Sequence, residues 1–555
     1  MAAASPTRSS PWLHGPVSDL ALGTGIIYVL AFVVLLWTGV NFPTSLVPLV
    51  VLGFATPHLG ATLLRVYESA ANRNAYRFFS VWVTIGIFAL FFSGLRWYAV
   101  GSILITFYLT VVPWHFTGQN YGIALIFLRR RGYDVAPPLK RYIYASFLIP
   151  YALWIVALHG DAPGAAEYAP LGTAGTVYSF IPIGIPGSVQ GVVLMALMIA
   201  YVWVVGECVI RVLKRASMRD ALPTFVLMAT QFLWFGAPIV IRIWLDAEAM
   251  GPLAPLNAAH TFVWVTMSHS VQYLWITSYY ARREQPGMRT SRYFLRTLLA
   301  GSAVYGFPLL LLSPGVLGNL SFDSGLYLMV AGALNVHHIM LDGVIWKLRD
   351  TRIANVLIRG ADAAPEAGSV PRRRSWIRPL IWSSGAISVL LTIGSSLETQ
   401  FGVGPALERK DVQRLDVAVR RLTWMGRDDA DLRSRLGTLK LERGDISAAL
   451  EDFERSIELK PNPLAWLNIG VMREREGRAQ RALEAYEAAL LLAPDDVTAL
   501  FYAGRASFRI GDAERAQALL TKAAEGAPER RDIRRLLDSV TRSVPAASSV
   551  QERGG

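Results

Sequence analysis

The chain has 555 residues, 53% of them hydrophobic and only 17% charged, with a net charge of +13. This is too apolar and too long for one soluble domain, in which about a quarter of residues carry charge. The charge is uneven: residues 1–404 hold 28 Lys and Arg against 16 Asp and Glu, whereas residues 405–555 hold 26 against 25. The basic excess thus belongs to the apolar part, scattered between hydrophobic runs, which speaks for membrane orientation and against nucleic acid as a partner. The single cysteine, Cys208, rules out an intrachain disulfide and a thiolate metal cage.

In chain order, residues 1–18 read as a polar, disordered tail with no cleavable signal. Eleven segments then reach the roughly twenty apolar residues that cross a bilayer as helix. They lie near 19–41, 43–65, 78–95, 97–128, 141–159, 188–213, 222–245, 258–281, 293–316, 321–346 and 379–396. Ten of them make a membrane domain over 19–346. A basic linker occupies 347–378, flexible at 360–375 and ending in Arg372, Arg373 and Arg374, before the last span at 379–396. If the N-terminus is cytoplasmic, 26 of the 28 basic residues fall in inner loops, and only Arg96 and Arg242 lie outside. That asymmetry is the positive-inside pattern. The expected setting is a bacterial inner membrane with the N-terminus cytoplasmic, and an eleventh span would then put the C-terminal region outside, which in a Gram-negative bacterium is the periplasm.

A repeat begins after residue 430. Gly437, Gly470 and Gly504 recur at 33 and 34 residues, as do Gly444, Gly477 and Gly511, and Pro461, Pro494 and Pro528. Phe453, Tyr486 and Leu520 keep the same phase, and Trp466 and Phe501 read as packing residues. The pattern resembles tetratricopeptide repeats: small residues where two helices of a hairpin approach, glycine at the turn, proline closing each unit. The resemblance implies an α-solenoid over 405–541, with an extra helix at 405–429, three repeats over 430–531 and a capping helix at 532–541. It also implies a protein or peptide partner bound in a concave groove, or a spacer without catalytic work. Residues 542–555 read as a disordered tail. The fold class is therefore all-α, a membrane bundle of about eleven spans joined to a C-terminal helical repeat domain.

Ionisable residues inside spans are costly and mark functional sites by default. Five histidines lie within expected helices: His58, His115, His269, His337 and His338, all on even-numbered spans. Their distances from the inner helix ends correspond to roughly 10–20 Å, so one shared layer is expected. Gln119 follows His115 by four residues, Gln272 follows His269 by three, and Asp342 follows His338 by four, while Glu207 sits on the remaining even span. Each is a candidate ligand or a group that orients one. Neutral imidazoles with one or two carboxylates suit iron, zinc or copper. Pro57 and Pro113, just before His58 and His115, are placed to kink their helices and shape a cavity. His14, His159 and His260 read as interfacial.

The leading reading is a metal-dependent oxidoreductase or oxygenase with non-haem iron, acting on a membrane lipid or isoprenoid. Scattered histidines on several spans and the pair Pro57-His58 resemble bacterial membrane-bound carotene dioxygenases, and that likeness implies dioxygen chemistry on such a substrate. The alternatives are an intramembrane zinc hydrolase using Asp342, a polyprenyl-linked glycosyltransferase or ligase, a haem-binding electron carrier with an axial pair such as His115 and His338, and a scaffold without catalysis. The five histidines are expected to converge within about 10 Å, with Glu207 and Asp342 beside them.

Overall fold

A computed structural model describes residues 10–27, 29, 30, 33, 46–68, 70–161, 176–244, 258–348, 350–361 and 377–543. Helices dominate, and among the described residues extended pairing is limited to two isolated bridges, Gly160 with Ile185 and Pro314 with Gly318. In lipid every backbone N–H and C=O needs an internal partner, and a helix supplies these within one segment. The chain forms two compact units, one holding residues up to Leu311 with Gly325–Ser396, the other holding Leu312–Ser324 with the chain from Leu397 onward.

The membrane-length helices and those between them are α1 (Val47–Tyr67), α2 (Phe78–Arg96), α3 (Tyr98–Arg130), α4 (Pro137–Leu158), α5 (Gly187–Leu213), α6 (Met218–Phe235), α7 (Ala237–Trp244), α8 (Ala258–Glu284), α9 (Thr290–Leu311), α10 (Phe322–Ile345) and α11 (Arg378–Glu408); they belong to the first unit except for Phe322–Ser324 of α10 and Leu397–Glu408 of α11. Eight of these, α1 to α5 and α9 to α11, are long and apolar enough to cross a membrane. Of the expected first span at 19–41, the described residues 19–27, 29, 30 and 33 begin with a π turn over Asp19–Gly23 and turn at Gly25 (φ 71°), and the rest lies outside the described residues. The seventh, read as one helix over 222–245, is broken at Gly236 into α6 and α7.

The backbones of α1 and α9 come into direct contact. A Cβ on Gly60 would lie 2.8 Å from the Gly301 amide nitrogen, and one on Gly301 would lie 2.7 Å from the Thr56 carbonyl carbon. Small residues four apart, Thr56 with Gly60 and Thr297 with Gly301, let the two backbones touch, as in small-xxx-small membrane packing. Gly385 of α11 likewise faces the Leu299 backbone of α9.

One expectation is corrected and another is given detail. Residues 10–18, read as tail, are packed: Leu13 is buried, and the fully buried Asp19 accepts from the Leu13 amide at 2.6 Å, the His14 amide at 3.1 Å and the Trp275 indole at 3.1 Å. A carboxylate supplies enough lone pairs to satisfy donors that a polar tail would have left to water. Arg130 completes the anchor by donating to the carbonyls of Ser10, Trp12 and Leu357. The linker at 347–378 contains a helix, Thr351–Leu357, capped by Asp350 and burying Ile353, Val356 and Leu357 in the core. Three apolar residues in seven on one helical face outweigh the flanking charge. The flexible part expected at 360–375 lies largely outside the described residues.

The second unit is a run of hairpins: α12 (Val412–Trp424), α13 (Ala430–Glu442), α14 (Ile446–Leu459), α15 (Pro463–Arg475), α16 (Ala479–Leu492), α17 (Val497–Arg509), α18 (Ala513–Gly526) and α19 (Arg531–Ser543). The expected extra helix at 405–429 is two pieces, because Lys410 (φ 52°) turns the chain between Glu408 and α12. The glycine phases do two jobs. Gly437 and Gly504 leave room for Phe453 and Leu520, whose side chains would stand 2.9 Å and 2.7 Å from a Cβ. Gly444, Gly477 and Gly511 occupy the turns at φ of 90°, 77° and 91°, where a side chain would be strained. Asp429, Asn462, Asp496 and Asp512 cap helix starts by accepting backbone amides. The segment Leu312–Ser324 belongs to this unit, and the Arg427 guanidinium lies 3.3 Å over the Phe322 ring.

Candidate metal centre

His58 lies just beyond a local widening of α1. Pro57 has no N–H to donate, and the helix runs as a π turn over Val51–Ala55 before tightening at Thr56. The Thr56 hydroxyl takes the Val51 carbonyl at 2.9 Å. In α3, Pro113 similarly frees backbone two residues before His115, and Thr117 donates to the Pro113 carbonyl at 2.8 Å. His269 sits mid-way along α8 between Ser268 and Ser270, and His338 lies on α10 one turn before Asp342.

These four histidines, from four helices, meet. One ring nitrogen from each of His58, His115, His269 and His338 lies within 4.8 Å of the other three. Their rings are edge to face, with centroids 4.2 Å apart for His58 and His338, 4.8 Å for His58 and His269, 4.9 Å for His115 and His269, and 5.0 Å for His115 and His338. His58, His269 and His338 are buried, and His115 nearly so. Among the described residues, His58 Nε2 and both nitrogens of His269 are buried without a hydrogen-bond partner. Buried polar atoms normally find one, so His58 Nε2 and one nitrogen of His269, whose two ring nitrogens cannot both face one centre, point to a ligand.

The acid nearest the rings is Asp342. Its Oδ1 accepts from Thr62 at 3.0 Å and from the Tyr273 hydroxyl at 2.8 Å, and Oδ2 lies 3.3 Å from His338 Nε2 and 3.9 Å from His115 Nε2. Tyr273 in turn accepts from the Trp346 indole at 3.0 Å. Ser270 stands 3.3 Å from His58 Nδ1, and Thr62 is 2.9 Å from His338 Nδ1.

Other expected members stand elsewhere. His337, about 100° around the helix from His338, faces Tyr67 and Thr84, each 3.0 Å from its Nε2. Glu207 is spent on Arg211 of its own helix at 2.9 Å, and α5 packs on α4 and α6 rather than on the histidine helices. Gln119 and Gln272 act on backbone: Gln119 donates to the His269 carbonyl at 3.1 Å and to the Gln272 side chain at 3.2 Å, and Gln272 donates to the Gly23 carbonyl at 3.4 Å. His14 is bound to the Trp275 carbonyl, His159 lies between Thr110 and the Ile183 amide, and His260 falls in the first turn of α8.

Thr62, Ser270, Tyr273 and Trp346 were not legible as site residues. A signal was present all the same, since Thr62 and Tyr273 each stand four residues beyond a cluster histidine and so share its helical face.

Residues 434–490 and 475–539 each match the tetratricopeptide repeat family, so the C-terminal unit carries a tetratricopeptide repeat domain. A search of curated proteins finds no match to the chain.

Proposed function

We propose that the chain is an inner-membrane protein whose helix bundle holds one first-row transition-metal ion on His58, His115, His269 and His338, and that it works as a metal-dependent oxidoreductase on a lipid or isoprenoid. The observation that carries this reading is the convergence of four imidazoles whose donor atoms lie within 4.8 Å of one another, three of their nitrogens lacking any described partner. The spacing is close to that of an ion: at about 2.1 Å per metal–nitrogen bond, donors on opposite sides of a metal stand about 4.2 Å apart, so the widest pair, at up to 4.8 Å, closes by about 0.6 Å on binding.

The donor chemistry narrows the ion. Imidazole with an oxygen donor nearby suits iron or zinc, and the single cysteine, Cys208, stands apart in the hydrophobic core. The crossed rings favour a bare ion over haem, because the second pair of imidazoles stands where a macrocycle would lie. Non-haem iron would supply dioxygen activation. The chain's own part is to hold the donors in fixed orientation and to exclude water, through Phe116 at 4.1 Å from His269 and Tyr273 at 4.5 Å from His58. A site framed by apolar helices selects a substrate that reaches it through lipid.

The repeat domain supports a protein partner, since such solenoids bind peptides and proteins. Leu312–Ser324 joins the repeat unit, which fits the outer placement that the loop charges assign to both.

Full-length protein purified in detergent, with metal content measured for wild type, His58→Ala, His115→Ala, His269→Ala and His337→Ala, tests the reading. Iron near one equivalent is expected in wild type and His337→Ala and is lost in the other three. Zinc in its place would turn the proposal toward hydrolysis. Absence of metal from wild type and failure to take up added Fe(II) or Zn(II) would overturn it.

A further inference from the structure

The place of Asp342 is unusual for a carboxylate that merely orients a histidine. An orienting partner binds the ring nitrogen that points away from the metal. On His338 that far nitrogen, Nδ1, is taken by Thr62 at 2.9 Å, whereas Asp342 Oδ2 approaches Nε2, the nitrogen that also faces His115 Nε2 at 3.2 Å. The carboxylate therefore stands on the donor side of the ring.

The hydrogen-bond directions sharpen this. The Trp346 indole can only donate, so the Tyr273 hydroxyl accepts from it and has its own proton for Asp342 Oδ1 at 2.8 Å or the Thr62 hydroxyl at 2.5 Å. Thr62 also donates to Oδ1, which leaves its lone pairs to accept from Nδ1–H of His338. In that tautomer the Nε2 lone pair of His338 points at the same space as Oδ2. Both donors to the carboxylate sit on Oδ1, so Oδ2 is left for the site. His115 Nε2, His338 Nε2 and Asp342 Oδ2 are mutually 3.2, 3.3 and 3.9 Å apart. Adjacent donors around an octahedral ion stand about 3 Å apart at ordinary bond lengths.

We propose that Asp342 is a metal ligand, that it forms with His115 and His338 a two-histidine, one-carboxylate face completed by His58 and His269, and that Thr62 and Tyr273 are positioning residues that turn Oδ2 inward. This rests on the four-histidine reading and deepens it. A face of that composition is the ligand type of non-haem Fe(II) oxygenases. Five protein donors leave one position of an octahedron for an exogenous molecule, and the single anionic donor favours a divalent ion over Cu(I).

Cobalt(II) is the probe, loaded into full-length protein and read by its visible ligand-field bands and by competition with a chelator. Asp342→Asn is expected to bind at least tenfold more weakly with shifted bands, and Tyr273→Phe to show a smaller weakening in the same direction. Asp342→Cys gives a signal that does not depend on loss: a thiolate-to-cobalt charge-transfer band, absent from wild type although wild type contains Cys208. Wild-type affinity and bands in Asp342→Asn, or no charge-transfer band in a cobalt-loaded Asp342→Cys protein, would overturn the proposal while leaving the four histidines in place. Cobalt binding that survives His58→Ala and His269→Ala unchanged would instead overturn the four-histidine reading, and with it this one.

Discussion

The contact between α1 and α9 places a strong demand on two glycines, and Gly301→Ala is the sharpest way to test it. The new methyl would meet the Thr56 carbonyl oxygen first and lie 2.7 Å from its carbonyl carbon, against the 3.4 Å at which ordinary van der Waals contact begins. The helices must therefore part by at least 0.7 Å, and the obstacle is backbone, which has no rotamer with which to yield. Overpacking of this kind costs about 1–3 kcal/mol, and a backbone-to-backbone clash belongs at the upper end. About 3 kcal/mol is roughly a hundredfold in the folding equilibrium. The displacement also has a direction: His58 lies between Thr56 and Gly60 on α1, so moving α1 off α9 shifts one imidazole relative to the other three. Thermal unfolding in detergent, followed together with metal content, should show a clear loss of stability and weakened metal retention in Gly301→Ala and Gly60→Ala. Gly206→Ala on α5, where a Cβ meets no described atom within 4 Å, should be neutral or slightly stabilising through helix propensity. If Gly301→Ala melts with wild type and keeps its metal, the close packing of α1 on α9 is wrong.

Further outcomes are expected elsewhere in the molecule. Glu474 binds Arg505 at 2.8 Å, Arg509 at 2.6 Å and the Tyr486 hydroxyl at 2.9 Å, tying the second repeat to the third. Because Arg509 is 54% exposed, Glu474→Gln should cost about 1–2 kcal/mol rather than the roughly 3–5 of a fully buried pair, seen as faster amide exchange in α17. Asp429 is pushed up to about 6, chiefly by burial and then by the neighbouring carboxylate of Asp323. Its folded state therefore binds the proton more tightly than the unfolded chain does, so the repeat unit should lose stability as pH rises from about 4 to about 6. Asp429→Asn, which keeps an acceptor for the Leu432 amide, should flatten that dependence in a pH series of amide exchange. Asp19→Ala strands the Leu13 amide and the Trp275 indole at a cost of about 2–4 kcal/mol. Limited proteolysis should then cut within residues 10–18, while Asp19→Asn, which retains one acceptor oxygen, should resist.

The architecture was legible because two different periodicities wrote it. Long apolar runs located helices of membrane length, and recurring glycine and proline phases marked the hairpins, since those positions admit little else. The site was legible in part for a related reason. A histidine in an apolar helix is conspicuous, and four of the five noticed stand together. The fifth, His337, shows the limit: neighbours on a helix point about 100° apart, so adjacent histidines cannot both face one centre without distortion, and His337 turned to Tyr67 and Thr84. Glu207 failed for a different reason, since an arginine four residues later, Arg211, offered it a partner on its own helix. Thr62 and Tyr273 stayed hidden because hydroxyl residues are common in membrane helices and become informative only when Asp342 is seen between them. The packing of residues 10–18 was also hidden, because its partners lie on α3 and α8, more than a hundred positions away.

That last separation has a consequence during synthesis. Asp19 and His14 find Trp275 and Arg282 only after some 260 further residues have been made, so the segment of residues 10–19 is not fully seated until α8 is in place. In the interval it is an incompletely buried stretch with a carboxylate, an imidazole and an indole side chain, Trp12, available to chaperones or proteases. Its docking is then a late checkpoint on whether α3 and α8 have assembled correctly. For anyone handling the protein, an affinity tag joined close to Ser10 would burden that step, whereas one placed after Ser543 would not.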